Sequence, residues 1–152
     1  MASNVSLQPD YAGLNVRGDW AAHNNCVARM GDTVSRKLDD LDPRLKPLVF
    51  ELLARSVEAG IPVMIIDTLR TPEEHAANLA KGVSWVKHSK HLDGLAIDIC
   101  PYSVFMIDGP DKLQWDVSAP QWTIIGEIGE KLGLRWGGRW AKKDLGHFEW
   151  TE

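Results

Sequence analysis

At 152 residues, with 44% hydrophobic and 25% charged side chains, the chain has the length and composition of one folded domain with a single core. Its net charge of -4, with Lys and Arg scattered along the sequence, argues against a nucleic-acid partner, which needs a basic patch or stripe. No run approaches the roughly 20 apolar residues of a membrane span, and the N-terminus lacks a basic segment leading into an apolar core, so neither a span nor a secretory signal is expected.

Residues 1–34 are polar and irregular, with Asn4, Pro9, Gly18 and Gly31 interrupting any apolar period. They read as an N-terminal arm or extension that Tyr11 and Trp20 could pin to the body, and residues 35–152 as the domain proper. Asp42-Pro43 is a helix start, with Leu45, Leu48, Val49, Leu52, Leu53 and Val57 recurring at helical spacing until Gly60. Pro62 to Thr68 is a β-rich apolar run of strand length that delivers Arg70 to its end. Thr71-Pro72-Glu73-Glu74 is a capping box with proline at the first helical position, opening a helix that runs to Gly82.

Gly82 to Gly94 reads as a polar loop and Leu95 to Ile99 as a strand. Residues 101–119 form a long connection punctuated by proline and glycine. Ser118-Ala119-Pro120 then starts a helix whose Ile124, Ile125, Ile128 and Leu132 fit one face, with Gly133 ending it. Leu134 to Trp136 and His147 to Trp150 read as a closing pair of strands, which sets His147 beside the Asp98 strand. Helices and strands mixed without a βαβ rhythm give an α+β class.

Two segments carry chemistry. The first is Ser89-Lys90-His91-Leu92-Asp93-Gly94-Leu95-Ala96-Ile97-Asp98, and the second is Asp144-Leu145-Gly146-His147-Phe148-Glu149. His91, Asp98 and His147 supply two imidazoles and a carboxylate, the set that holds zinc while leaving a fourth position open for water. Asp98 lies on a strand, the rigid backbone a ligand requires. Asp144, three residues before a ligand, stands where a general base is wanted; taken alone it is equally a solvated acid beside Lys142 and Lys143. Glu149 falls two residues past His147, on the same strand face, and is expected to orient an imidazole. Cys26 and Cys100 show no CxxC pairing and are read as reduced, with core packing favoured for Cys100 over a fourth-ligand role that would close the site. His88 lies near His91 without a place in the ligand pattern, and Asp93 is a loop acid beside a turn glycine.

Taken together, Ser-x-His-x-x-Gly-x-Ala-x-Asp, then Trp-Gly-Gly-x-Trp at Trp136 to Trp140, then Asp-x-x-His-Phe-Glu resemble the zinc D,D-peptidase family. That family includes D-Ala-D-Ala carboxypeptidases, vancomycin-resistance dipeptidases and phage L-alanyl-D-glutamate endolysins. The resemblance covers roughly Ser35 to Glu152. It implies a hedgehog/DD-peptidase-like domain, a small antiparallel sheet flanked by helices, with Zn2+ on His91, Asp98 and His147. It gives Asp144 the part of general base, and Arg70 with Ser89 the binding of a substrate carboxylate, for which a planar guanidinium offers bidentate contact. Without the family, Arg70 would read as a salt-bridging strand-end residue and Ser89 as a loop hydroxyl. His75 departs from the Gln many relatives carry five residues after the Arg, and Arg139 replaces an acid inside Trp-Gly-Gly-x-Trp, changing charge at the expected rim.

The reading that follows is a zinc metallopeptidase that cleaves the L-Ala-D-Glu bond of peptidoglycan stem peptides, with a phage or prophage endolysin favoured. A D-Ala-D-Ala carboxypeptidase or dipeptidase is the alternative, and a non-catalytic zinc-stabilised binding module a third. A monomer is expected, made in the host cytoplasm without a signal peptide and reaching the cell wall through holin-mediated release.

Overall fold

The computed structural model describes residues 34–103 and 112–151, within a compact unit spanning Thr33–Glu152. The arm expected over residues 1–34, with Tyr11, Trp20 and Cys26, therefore lies outside the described residues apart from Val34. In chain order the regular elements are α1 (Lys46–Glu58), β1 (Val63–Asp67), α2 (Pro72–Ala80), β2 (Ala96–Pro101), α3 (Pro120–Lys131), β3 (Arg135–Trp136) and β4 (His147–Glu149). No helix among the described residues is long and apolar enough to cross a membrane.

The four strands form one antiparallel sheet in the order β1-β2-β4-β3. Because side chains alternate across a strand, the register divides this sheet into two chemically distinct faces. Ile97 lies opposite Phe148, which lies opposite Trp136, and with Ile99 these build the apolar core beneath α1 and α3. The intervening positions put Asp98 opposite His147, and Glu149 between Ala96 and Arg135. One face thus buries aromatic and β-branched side chains while the other displays the polar ones.

α1 contributes Leu45, Val49 and Leu52 to the core. Its regular turns begin at Lys46, later than Asp42-Pro43, yet Asp42 still organises the entry. Asp42 Oδ1 accepts from the Arg44 amide at 2.8 Å, and its carbonyl accepts from Leu45 and Lys46. Val57 was placed on the core stripe but is exposed; the stripe continues through Ser56, whose hydroxyl donates to the Leu52 carbonyl at 2.7 Å and so enters the core satisfied. On α3, Ile125 and Trp122 are buried, whereas Ile124 faces solvent. The capping box of α2 is formed in full by Thr71 and Glu74.

The segment read as a polar loop before β2 contains a 3-10 turn, Lys90–Asp93, capped by the Ser89 side chain and closed at Gly94 with φ 65°. That left-handed conformation suits glycine, and a Cβ there would lie 2.8 Å from the Asp40 carbonyl oxygen. The turn fixes His91 directly before the strand that carries Asp98.

Candidate active site

The polar face of the sheet forms the floor of a cleft of about 640 Å³ lined by Arg70, Ser89, His91, Asp98, Asp144 and His147 among others. All six residues singled out from the sequence are brought together there. His91 Nε2 lies 3.1 Å from Asp98 Oδ1 and 3.3 Å from His147 Nδ1, and the last two atoms are 2.9 Å apart. These three donor atoms form a group able to hold a metal ion.

Each imidazole presents the correct nitrogen because its other nitrogen is committed elsewhere. His91 Nδ1–H donates to the Thr68 carbonyl at 2.7 Å, and His147 Nε2–H donates to Glu149 Oε2 at 3.1 Å. Both partners only accept, so the neutral imidazoles carry their lone pairs on His91 Nε2 and His147 Nδ1. The expectation for Glu149 is met by its position two residues along β4.

The electrostatics ask for a cation. Burial alone would raise the Asp98 carboxyl, but the charge and hydrogen bonds of His91 and His147 overcome it and hold Asp98 well below the usual carboxylate range. Burial likewise opposes charging His147, yet its bonds to Asp98 and Glu149 push it up to about 9. Two neutralisable imidazoles, a carboxylate and fixed outer partners fit a tetrahedral N/O site with an open position.

Asp144 stands beside this cluster on the turn before β4. Burial, followed by the negative charge of Asp98, raises its carboxyl above the usual value, the direction that suits proton exchange near neutrality. Its backbone is tightly held: the Asp144 amide donates to Gly137, the His147 amide donates to Asp144, and Trp136 Nε1 donates to the Leu145 carbonyl at 2.9 Å. Gly137 is required by this turn, since a Cβ would lie 2.5 Å from the Asp144 carbonyl oxygen.

Arg70 projects from the end of β1 into the same cleft. Its Nε donates to Asp67 Oδ2 at 3.0 Å, Nη2 is paired with the same oxygen, and Nη2 lies 3.6 Å from Asp98 Oδ2. The bidentate edge expected for substrate is therefore engaged by the protein, and Nη1 is the terminal nitrogen without a protein acceptor among the described residues. Ser89 Oγ accepts from the His91 amide at 3.3 Å, so this hydroxyl braces the ligand turn while lining the cleft.

Other sequence expectations resolve individually. His88 pairs with Asp93 at 2.7 Å on the surface, outside the candidate metal group. Cys100 is buried on β2, also outside that group. Arg139 does not reach the cleft; it grips Glu130 of α3 through two nitrogens and lies over Trp136. Trp136 is core, whereas Trp140 lines the cleft with its ring 5.1 Å from that of His147. His75 is buried and its Nε2–H donates to the carbonyl of Val86, with that of Lys87 at 3.3 Å, holding the loop that forms one wall.

Sequence reasoning missed Trp85, Lys142 and Arg135. Lys142 Nζ sits 3.9 Å from the Trp85 ring centre, joining the loops on either side of the cleft. It also missed Asp67, whose carboxylate at a strand end is an unremarkable signal until the strand pairing is known.

This arrangement is that of a metallopeptidase. Residues 82–150 match the family described as D-alanyl-D-alanine carboxypeptidase, within the M15 peptidases. The L-alanyl-D-glutamate peptidase of Escherichia phage T5 is 32% identical over 105 residues, covering 63% of this chain and 72% of that protein. The L-alanyl-D-glutamate peptidase of Listeria phage A118 is 30% identical over 105 residues, 68% of this chain, which spans only 35% of that longer protein. Among solved structures, the Serratia marcescens L-Ala D-Glu endopeptidase ChiX superposes with a TM-score of 0.61 at 22% identity, over 75% of this chain and 83% of that one. The T5 match, over more than two thirds of that protein's length, places the chain in the same M15 family of peptidases as these L-alanyl-D-glutamate peptidases.

Proposed function

We propose that the protein is a zinc-dependent peptidoglycan hydrolase that cleaves the L-Ala-D-Glu bond of stem peptides, with residues 35–152 as its catalytic domain. The observation that carries this reading is the convergence of His91 Nε2, Asp98 Oδ1 and His147 Nδ1 in a cleft that also holds Asp144 and Arg70. The activity named for the two phage relatives favours this bond.

His91, Asp98 and His147 would hold the metal. When bound, zinc supplies a Lewis acid for the scissile carbonyl and lowers the pKa of water toward neutrality. Asp144 takes the proton of the attacking water and delivers it to the leaving amine of D-Glu, for which its raised carboxyl is suited. Glu149 and the Thr68 carbonyl keep both imidazoles oriented throughout.

Arg70 and Ser89 bind the free carboxylate of the substrate. A stem peptide continues through the γ-carboxyl of D-Glu, so the α-carboxylate beyond the scissile amide stays free, in the place a terminal D-Ala carboxylate would occupy. Arg70 Nη1 meets it as a charged single-ended donor. The same logic keeps a D-Ala-D-Ala carboxypeptidase as the second reading, favoured by the description of the matching family.

The biological setting that fits is an endolysin of a phage or prophage, acting on the cell wall after holin-mediated release, as a monomer. Incubating the zinc-loaded protein with purified Gram-negative peptidoglycan, with and without chelator, tests the reaction. New N-terminal D-Glu found by mass spectrometry, abolished by chelator, is expected. Released D-Ala would establish the carboxypeptidase, and binding without cleavage would overturn the enzymatic reading.

A further inference from the structure

Asp67 is a buried carboxylate on the polar face of the sheet to which the reaction above gives no part. Its side chain is 6% exposed, its Oδ2 carries both Arg70 contacts, and its Oδ1 has no hydrogen-bond partner among the described residues. It reaches this place through a break in strand register. Ile65 pairs with Ile99, but the next pair is Asp67 with Asp98, so one extra residue is accommodated between them. Bulges of this kind redirect side chains and concentrate near active sites. In an unbroken ladder Ile66 would face Asp98 instead.

The bulge thereby sets two carboxylates directly across neighbouring strands, a pairing that is unfavourable by itself. Arg70 lies against both, with Nη2 on Asp67 Oδ2 and 3.6 Å from Asp98 Oδ2. Asp98 Oδ1 meanwhile faces His91 and His147. The two oxygens of Asp98 are thus divided between the guanidinium and the imidazoles.

We propose that Asp67 is a positioning residue, which anchors Arg70 so that its guanidinium steers Asp98 to offer one oxygen to the metal and its Nη1 stays directed at the substrate carboxylate. Without the anchor, Arg70 pairs fully with Asp98, weakening that ligand and withdrawing from substrate. The inference rests on the proposed function for its substrate half; its metal half stands on the ligand group alone.

The test is Asp67→Asn, alone and combined with Arg70→Gln, measured by zinc titration against a chelating indicator and by kcat and KM on a purified stem peptide. Asp67→Asn is isosteric and keeps an acceptor for Arg70 Nε, so the fold is retained. Its zinc affinity is expected to fall about tenfold, in the range seen for residues that orient metal ligands, and KM to rise more than kcat falls. In the Arg70→Gln background Asp67→Asn is expected not to repeat these losses, because the guanidinium through which they arise is gone. Wild-type zinc affinity and KM in Asp67→Asn, or equal losses in both backgrounds, would overturn the proposal. A wild-type protein that binds zinc but leaves L-Ala-D-Glu stems intact would instead refute the proposed function, with the titration still deciding the role of Asp67.

Discussion

Replacing Gly137 by alanine puts a methyl group against the turn that carries Asp144 into β4. The new Cβ would lie 2.5 Å from the Asp144 carbonyl oxygen, 3.1 Å from Asp144 Cβ and 3.2 Å from His147 Cβ. Ordinary contact begins at 3.4 Å, so backbone must separate by about 0.9 Å, a displacement that no flexible side chain can absorb. Two costs follow. Overpacking of this kind destabilises by about 1 to 3 kcal/mol, which in a domain of this size lowers the melting midpoint by roughly 2 to 4 °C per kcal/mol. Moving a catalytic group by about 1 Å can reduce turnover by about a hundredfold, and here the proposed base and one proposed ligand share the strained turn. The assay is kcat/KM on a stem peptide, beside zinc titration and thermal unfolding. A folded Gly137→Ala protein with wild-type kcat/KM would refute the claim that this contact positions Asp144.

Asp144→Ala is expected to keep zinc and lose about 10²- to 10⁴-fold in kcat, the range for a general acid-base group; unchanged turnover would remove Asp144 from that role. His147→Ala is expected to lose metal outright, and full occupancy measured by atomic absorption would rule out the ligand set. Glu149→Gln keeps an acceptor but loses the charge facing His147 Nε2, so zinc affinity should drop about tenfold, with equal affinity showing that the carboxylate is dispensable. In metal-free protein, the folded pKa of His147 is pushed up to about 9 from 6.5. Its contribution to stability is therefore complete below about pH 6.5 and lost as pH rises through 9. Chemical denaturation of chelator-treated protein across that window should show the decline, and a flat profile would contradict it.

The three residues of the candidate metal group were legible in the sequence because each sits in a short segment of distinctive spacing, and the strands because β-rich runs end at glycines and prolines. Their partners were legible only in part. Glu149 could be anticipated because a two-residue step along a strand keeps a side chain on one face. The Thr68 carbonyl on His91 could not, since it joins residues 23 apart through a backbone atom that leaves no trace in residue type. Asp67 was hidden by the bulge, which changes strand register by a single residue. Arg139 was misplaced because a motif gives the spacing of its residues but not the direction in which an intervening side chain turns; Glu130 on α3 captures it. Val57 and Ile124 were misplaced for a simpler reason: each flanks the true core stripe, occupied by Ser56 and Ile125, and apolar residue type outweighed angular position in the reading.

The strand order has a mechanical consequence. β4 lies between β2 and β3, so an ion gripped by His91 and His147 would join points 56 positions apart in the chain and close a loop containing α3 and β3. Such a clip restricts the unfolded chain much as a covalent cross-link does, with an effect that grows slowly with loop length. The metal would then be a structural rivet as well as a reagent: stripping it would loosen the seam between β2 and β4, leaving that seam to the strand pairing and to the packing of Ile97 on Phe148.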